Sequence, residues 1–175
     1  MTESVRVALV PGVLAFLPEY AGLEDPVADV RAASVAAAAW VAEAGPVTLV
    51  ADDQGARVGR HLLRGAPEGD GPAYLVVANG SARRDDTAPG YADARAMPFD
   101  DAVEVALRAP DPDALARLDT ALAETLLVGN PAGFVRLGEL VRGAHTAGVD
   151  YVGDPYGVAY WVARWESGEN AHRSR

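Results

Sequence analysis

Apolar and polar positions change period several times along this chain, and the changes mark its elements. Val5–Val10 is a short β-branched and apolar run ending at Pro11-Gly12, as a buried parallel strand does. Asp25-Pro26 then predicts a helix start, with the aspartate capping orphan amide donors and the proline at the first helical position. Val27, Val30, Ser34, Ala37 or Ala38, and Val41 fall on one stripe, and Gly45 closes that helix. Residues 47–51 read as a second strand running into Asp52-Asp53, followed by a short, uncapped helix over 57–63. Three glycines and two prolines make 65–72 a loop.

Residues 74–78 form a third apolar run, ending in the small, polar Asn79-Gly80-Ser81. The stretch 82–97 is rich in Arg and Asp and broken by Pro89-Gly90; its length suits a lid over a site or a mobile segment. Pro98 precedes a helix over 99–108, and Asp111-Pro112 starts another that carries Leu115, Leu118, Leu122 and Leu126 inward. A helix over 132–144 buries Phe134, Leu137 and Val141. Strands at 150–152 and 157–165 follow, the latter apolar on both faces, and 167–175 is a polar tail expected to be disordered. The order of elements predicts a single α/β domain over 1–166, a three-layer sandwich with a mostly parallel sheet. Ligands of such sheets sit beyond the carboxyl ends of the strands, which singles out the loops 11–19, 51–54, 79–84 and 153–157.

Composition narrows the function classes. The 175 residues are 50 % hydrophobic and carry a net charge of −10, with 25 acidic against 15 basic side chains. So acidic a chain lacks the clustered cations that neutralise phosphates, and no nucleic-acid partner is expected. No apolar run reaches the ~20 residues of a membrane span, and the opening Met-Thr-Glu-Ser lacks a basic leader, so a cytoplasmic protein without a membrane partner is expected. The absence of cysteine removes disulfides, thiolate nucleophiles and sulfur-ligated metals.

The familiar nucleotide motifs GxGxxG and GxxxxGK[ST] and the nucleophile elbow GxSxG are missing from the sequence. Of three histidines, His61 lies by a helix among arginines, His145 follows a helix end and His172 is in the tail, and no two share ligand spacing. Asp52-Asp53 at a strand end would serve a hard cation or a substrate hydroxyl; as a plainer alternative, one of them caps the next helix. Asn79, Gly80, Ser81 and Arg83 combine close backbone approach, a hydroxyl and a forked cation, a set suited to a carboxylate or phosphate. Against that, Arg83 and Arg84 have many acids to pair with. Tyr156, in the turn Asp154-Pro155-Tyr156-Gly157, is placed at the rim, and Trp40, Trp161 and Trp165 in the core.

These loops resemble a known family. Val7 to Glu19, with Pro11, Pro18 and Glu19 in register, resembles the opening of the LigB-like class III extradiol ring-cleavage dioxygenases. Val76 to Ala82, Pro98-Phe99-Asp100, the 113–122 helix and Pro155 to Tyr160 add to the likeness, which touches most of residues 5–165 and is greatest with short, alanine-rich actinobacterial proteins. The resemblance implies a LigB-like dioxygenase fold. In that family two histidines and a glutamate hold a non-haem ferrous ion, and a further histidine acts as acid–base catalyst. Here Gly12 stands at the first ligand position, 51–54 at the second, Ala82 or Arg83 at the acid–base position, and the glutamate position falls near Phe134, with Glu139 more than a turn away.

The expectation is therefore a degenerate, non-catalytic relative without a cofactor. It would bind a small anionic molecule, or a partner, through Asn79, Gly80, Ser81 and Arg83, with Asp52 and Tyr156 on the rim. The alternative is a hydrolase or oxygenase using an oxygen-ligated metal on Asp52, Asp53 and Glu19. The resembled enzymes commonly associate, so a homo-oligomer covering the aromatic last strand, Tyr160 to Trp165, is one expectation, and a helix of the same chain is an equal alternative cover.

Overall fold

The structure is a computed structural model that describes residues 4–144 and 146–168. His145, His172 and positions 169–175 of the expected tail lie outside the described residues.

Five strands form the central sheet: β1 (Val5–Val10), β2 (Val47–Val50), β3 (Ala73–Val77), β6 (Thr146–Gly153) and β7 (Tyr160–Ser167), in the order β2-β3-β1-β7-β6. β1, β2 and β3 pair in parallel, whereas β7 runs antiparallel to both β1 and β6. Two shorter strands, β4 (Asn79–Ser81) and β5 (Val128–Gly129), make a separate antiparallel pair.

The period of two along each strand sorts side chains onto two faces and so builds two cores. On one face Ala8, Val10, Leu75, Val77, Tyr160 and Val162 meet α1 (Ala28–Ala42) and α2 (Asp53–Leu63). On the other, Val7, Leu9, Val76, Trp161 and Trp165 meet α3 (Ala96–Arg108), α4 (Pro112–Ala116), α5 (Thr120–Thr125) and α6 (Pro131–Leu140). Helices thus cover both faces, giving three layers. The α1 stripe is buried where the periodicity puts it, at Val30, Ser34, Ala37, Ala38 and Val41.

Local hydrogen bonding redraws several expected boundaries. The leucine-rich helix after Asp111 is two helices, because the Asp119 carboxylate accepts the Leu122 N–H at 3.0 Å and starts α5 afresh. Asp25 does not cap α1 with its side chain; its carboxylate pairs with Arg31. The helix after β2 is longer than expected and capped, since Asp52 accepts the Gly55 N–H at 2.7 Å. α3 begins before Pro98, which occupies a first-turn position needing no intrahelical donor. Asn79–Ser81, expected as loop, pairs with β5.

The aromatic last strand needs no second copy of the chain to cover it. β7 is interior to the sheet, and Trp161 and Trp165 are each 1 % exposed, with Phe134 edge-to-face on Trp161 at 6.0 Å. Ser167, assigned to the tail, is the last residue of β7 and pairs with Val5.

Candidate functional site

The carboxyl ends of the parallel strands converge on a cleft. β1 leads to Gly12, the first turn of α2 delivers Gln54, and β3 runs directly into Asn79. Their meeting is fixed by the Gly12 peptide unit. Its N–H donates to Asn79 Oδ1 at 2.7 Å, and its carbonyl accepts from Gln54 Nε2 at 3.1 Å. Two side-chain amides thereby satisfy a backbone unit that no strand partner reaches. A side chain at Gly12 would crowd Val77, its Cβ falling 3.2 Å from Val77 Cγ1.

A fourth wall comes from residues 127–130. Asn130 caps α6 by accepting the Gly133 N–H at 3.1 Å, and its amide nitrogen donates to the Val77 carbonyl at 2.9 Å, tying α6 to the end of β3. Both Leu127 and Asn130 have positive φ, 56° and 57°. Such backbone costs free energy in a non-glycine residue and clusters where a fold shapes a site. The fifth wall is the β6–β7 connection with Tyr156, Val158 and the first residue of β7, Tyr160.

Two adjoining cavities occupy this cleft and share Gly12, Gln54, Asn79 and Gly129. The larger, about 290 Å³, is bounded by Val13, Leu14, Val158 and Tyr160; the smaller, about 170 Å³, reaches Asp52 and Asn130. A third, of about 410 Å³, lies beyond Ala15 and Tyr156 against Asp25 and Arg31.

Of the residues expected to clamp an anion, Asn79 and Gly80 border the larger cavity, whereas Ser81 and Arg83 are bonded elsewhere. Ser81 is fully buried: its hydroxyl donates to the Leu126 carbonyl and accepts the Arg83 N–H at 3.0 Å. Arg83 donates to the carbonyls of Tyr91 at 2.7 Å through Nε and of Thr125 at 3.0 Å through Nη1, so much of its fork holds backbone. Gly80 is a glycine because Ala159 needs the space; an added Cβ would stand 2.7 Å from Ala159 Cβ, and the Gly80 N–H already donates to the Ala159 carbonyl. Asp52 borders the smaller cavity as the α2 cap, the plainer of its two readings. Asn79, Gly80 and Tyr156 border the larger cavity. The segment 82–97 is folded back on itself through Gly90 N–H to Ala82 and Asp93 N–H to Arg83, and only Ala82 of it reaches the larger cavity.

Behind the cleft lies an ionic relay. Asp100 is 2 % exposed and accepts the Ser81 N–H at 3.0 Å, and Arg84 approaches it at 3.2 Å while donating to Asp154 at 2.9 Å. Burial pushes the Asp100 carboxyl up to about 6 against the opposing pull of the Ser81 N–H and the Arg84 charge. Arg84 therefore joins the β4 region to the turn carrying Tyr156. Burial, reinforced by Tyr156 and Tyr151, pushes the Tyr160 phenol up to about 12, so it stays a neutral hydroxyl.

Three parts of the wall were hidden in the sequence by ordinary patterns. Tyr160 reads as one more alternating strand residue. Gln54 sits beside the more conspicuous acids. Residues 127–130 precede a helix whose Asn130-Pro131 start, a cap followed by proline at the first position, was the available signal. Among the described residues no group of three His, Asp or Glu side chains is placed to hold a metal ion, and no helix is long and apolar enough to cross a membrane. Comparisons with family models, with curated proteins and with solved structures return no match for this chain.

Proposed function

We propose that this chain is a LigB-like, extradiol dioxygenase-like protein without catalytic iron that binds a small molecule in the cleft at the carboxyl edge of its sheet. The observation carrying this reading is the cleft itself. Five separate segments build it, two side-chain amides pin its floor, and two residues accept unfavourable backbone angles to line or abut it.

The residues present do not fit the iron that the resemblance implies. Gly12, Gln54 and Ala82 border the cleft at or beside the positions where that family places its histidines, and none offers an imidazole. Phe134 is buried in the core, and Glu139 pairs with Arg136 on the surface at 3.1 Å. An oxygen-ligated substitute is no better served: Asp52 Oδ1 is the α2 cap, and Glu19 pairs with Arg57 at 3.2 Å. No catalytic step is assigned to these groups.

Thermal stabilisation tests the proposal. A ligand present at about 100 times its dissociation constant adds about 2.7 kcal/mol, roughly 5–10 °C in melting temperature for a chain of this size. A panel of small metabolite-like compounds should include members that stabilise the native chain but not Ala82→Trp, whose ring fills the cavity. If no member discriminates between the two proteins, the cleft is merely packed surface and the reading fails.

A further inference from the structure

The larger cavity is unusual in this chain for what it lacks. Forty residues, 25 acidic and 15 basic, carry charge, yet among the described residues no charged side chain borders it. The nearby arginines are engaged elsewhere: Arg31 with Asp25, Arg57 with Glu19, Arg83 with two carbonyls, and Arg84 with Asp100 and Asp154. Asp52 borders only the smaller cavity. An ion entering the larger one would shed water and meet no opposite charge, which is costly.

Its wall does hold polar atoms without partners. Tyr160 is 5 % exposed, and among the described residues its hydroxyl makes no hydrogen bond. Asn79 spends its oxygen on Gly12 and keeps its amide donors; Gln54 spends its nitrogen on Gly12 and keeps its carbonyl. The cavity thus offers two kinds of donor and one acceptor between the apolar walls of Val13, Leu14 and Val158. At about 290 Å³ it is at the small end of ligand pockets, room for one ring and a short head group.

We infer that this cavity selects an uncharged ligand of the carboxamide class, its carbonyl oxygen accepting from the Tyr160 hydroxyl and the Asn79 amide, and its N–H donating to Gln54. The inference rests on the cleft being a ligand site and adds the charge and head group of what enters.

Benzamide, benzoate and benzamidine share one ring and a planar head and differ in charge. Each would be titrated into the full chain while the backbone amide signals of Gly12, Asn79 and Gly129 are followed by NMR. The expected result is saturable binding of benzamide, with benzoate and benzamidine at least about tenfold weaker. Tyr160→Phe should weaken benzamide by about tenfold without lowering the melting temperature, because the hydroxyl has no partner in the fold to lose. Equal or tighter binding of either ion, or an unchanged benzamide affinity in Tyr160→Phe, overturns the inference and leaves the cleft a ligand site. If none of the three moves those signals, the inference and the cleft reading fall together.

Discussion

The Asn79 side-chain oxygen accepts the Gly12 N–H at 2.7 Å, and this one bond joins the residues that follow β3 and β1 across the cleft floor. Asn79→Ala leaves that part-buried donor without its side-chain partner. The expected cost is about 1–3 kcal/mol, whereas Asn79→Asp keeps an acceptor and most of the stability. Chemical denaturation of the two variants checks this, and equal losses would show that the bond carries nothing.

Gly80→Ala should destabilise by about 1–3 kcal/mol through overpacking. The added carbon would stand 2.7 Å from Ala159 Cβ, 2.9 Å from Asp100 Oδ1 and 3.0 Å from the Trp161 ring. Tryptophan emission should shift together with the melting temperature, since the indole must give way. A variant as stable as the native chain, with unchanged emission, would contradict the packing described.

Asp100 gives the fold an acid whose proton is held more tightly than in the unfolded chain, about 6 against 3.8. Between those values the folded state binds the proton and the unfolded state does not, so stability from this group rises as pH falls from about 6 toward 3.8. Asp25, Asp93 and Glu166 act oppositely: Arg31 at Asp25, Arg95 at Asp93, and the Ser4 hydroxyl followed by Arg6 at Glu166 hold their carboxyls below the usual range, and their contributions are lost on acidification. Comparison with Asp100→Asn isolates the first effect. From pH 7 to pH 4 the native chain should gain about 2 kcal/mol relative to the variant. A stability difference independent of pH would refute it.

Arg83→Ala should leave ligand binding intact and loosen the segment it pins. The guanidinium bonds to Tyr91 and Thr125 are lost, so limited proteolysis within 82–97 should accelerate several-fold. Phosphate and acetate should shift the melting temperature of native and variant chains equally. A shift confined to the native chain would restore Arg83 as an anion donor.

Much of the scaffold was legible because it follows from periodicity. The buried stripe of α1, the apolar runs of β1, β2 and β3, and burial of Phe134, Leu137 and Val141 need only the two repeat lengths of helix and strand. The carboxyl-edge rule directs attention to the loops that meet at Gly12, Gln54, Asn79 and Tyr156. Side-chain roles within them were not legible. Ser81 and Arg83 look like ligand donors until Leu126 and Thr125, more than 40 positions away, supply the carbonyls that occupy them. Asp119 looks like the middle of a helix until its carboxylate takes the Leu122 N–H. Sequence pattern reports which face of an element is covered; it does not report which distant carbonyl a loop donor meets.

The five walls span the chain from Gly12 to Tyr160, and β7 must insert between β1 and β6 before Tyr160 arrives. No fragment can therefore assemble a partial receptor. Occupancy would raise the barrier to global opening instead of quieting one neighbourhood, and amide exchange in strands remote from the contact, β2 among them, would slow in step with saturation.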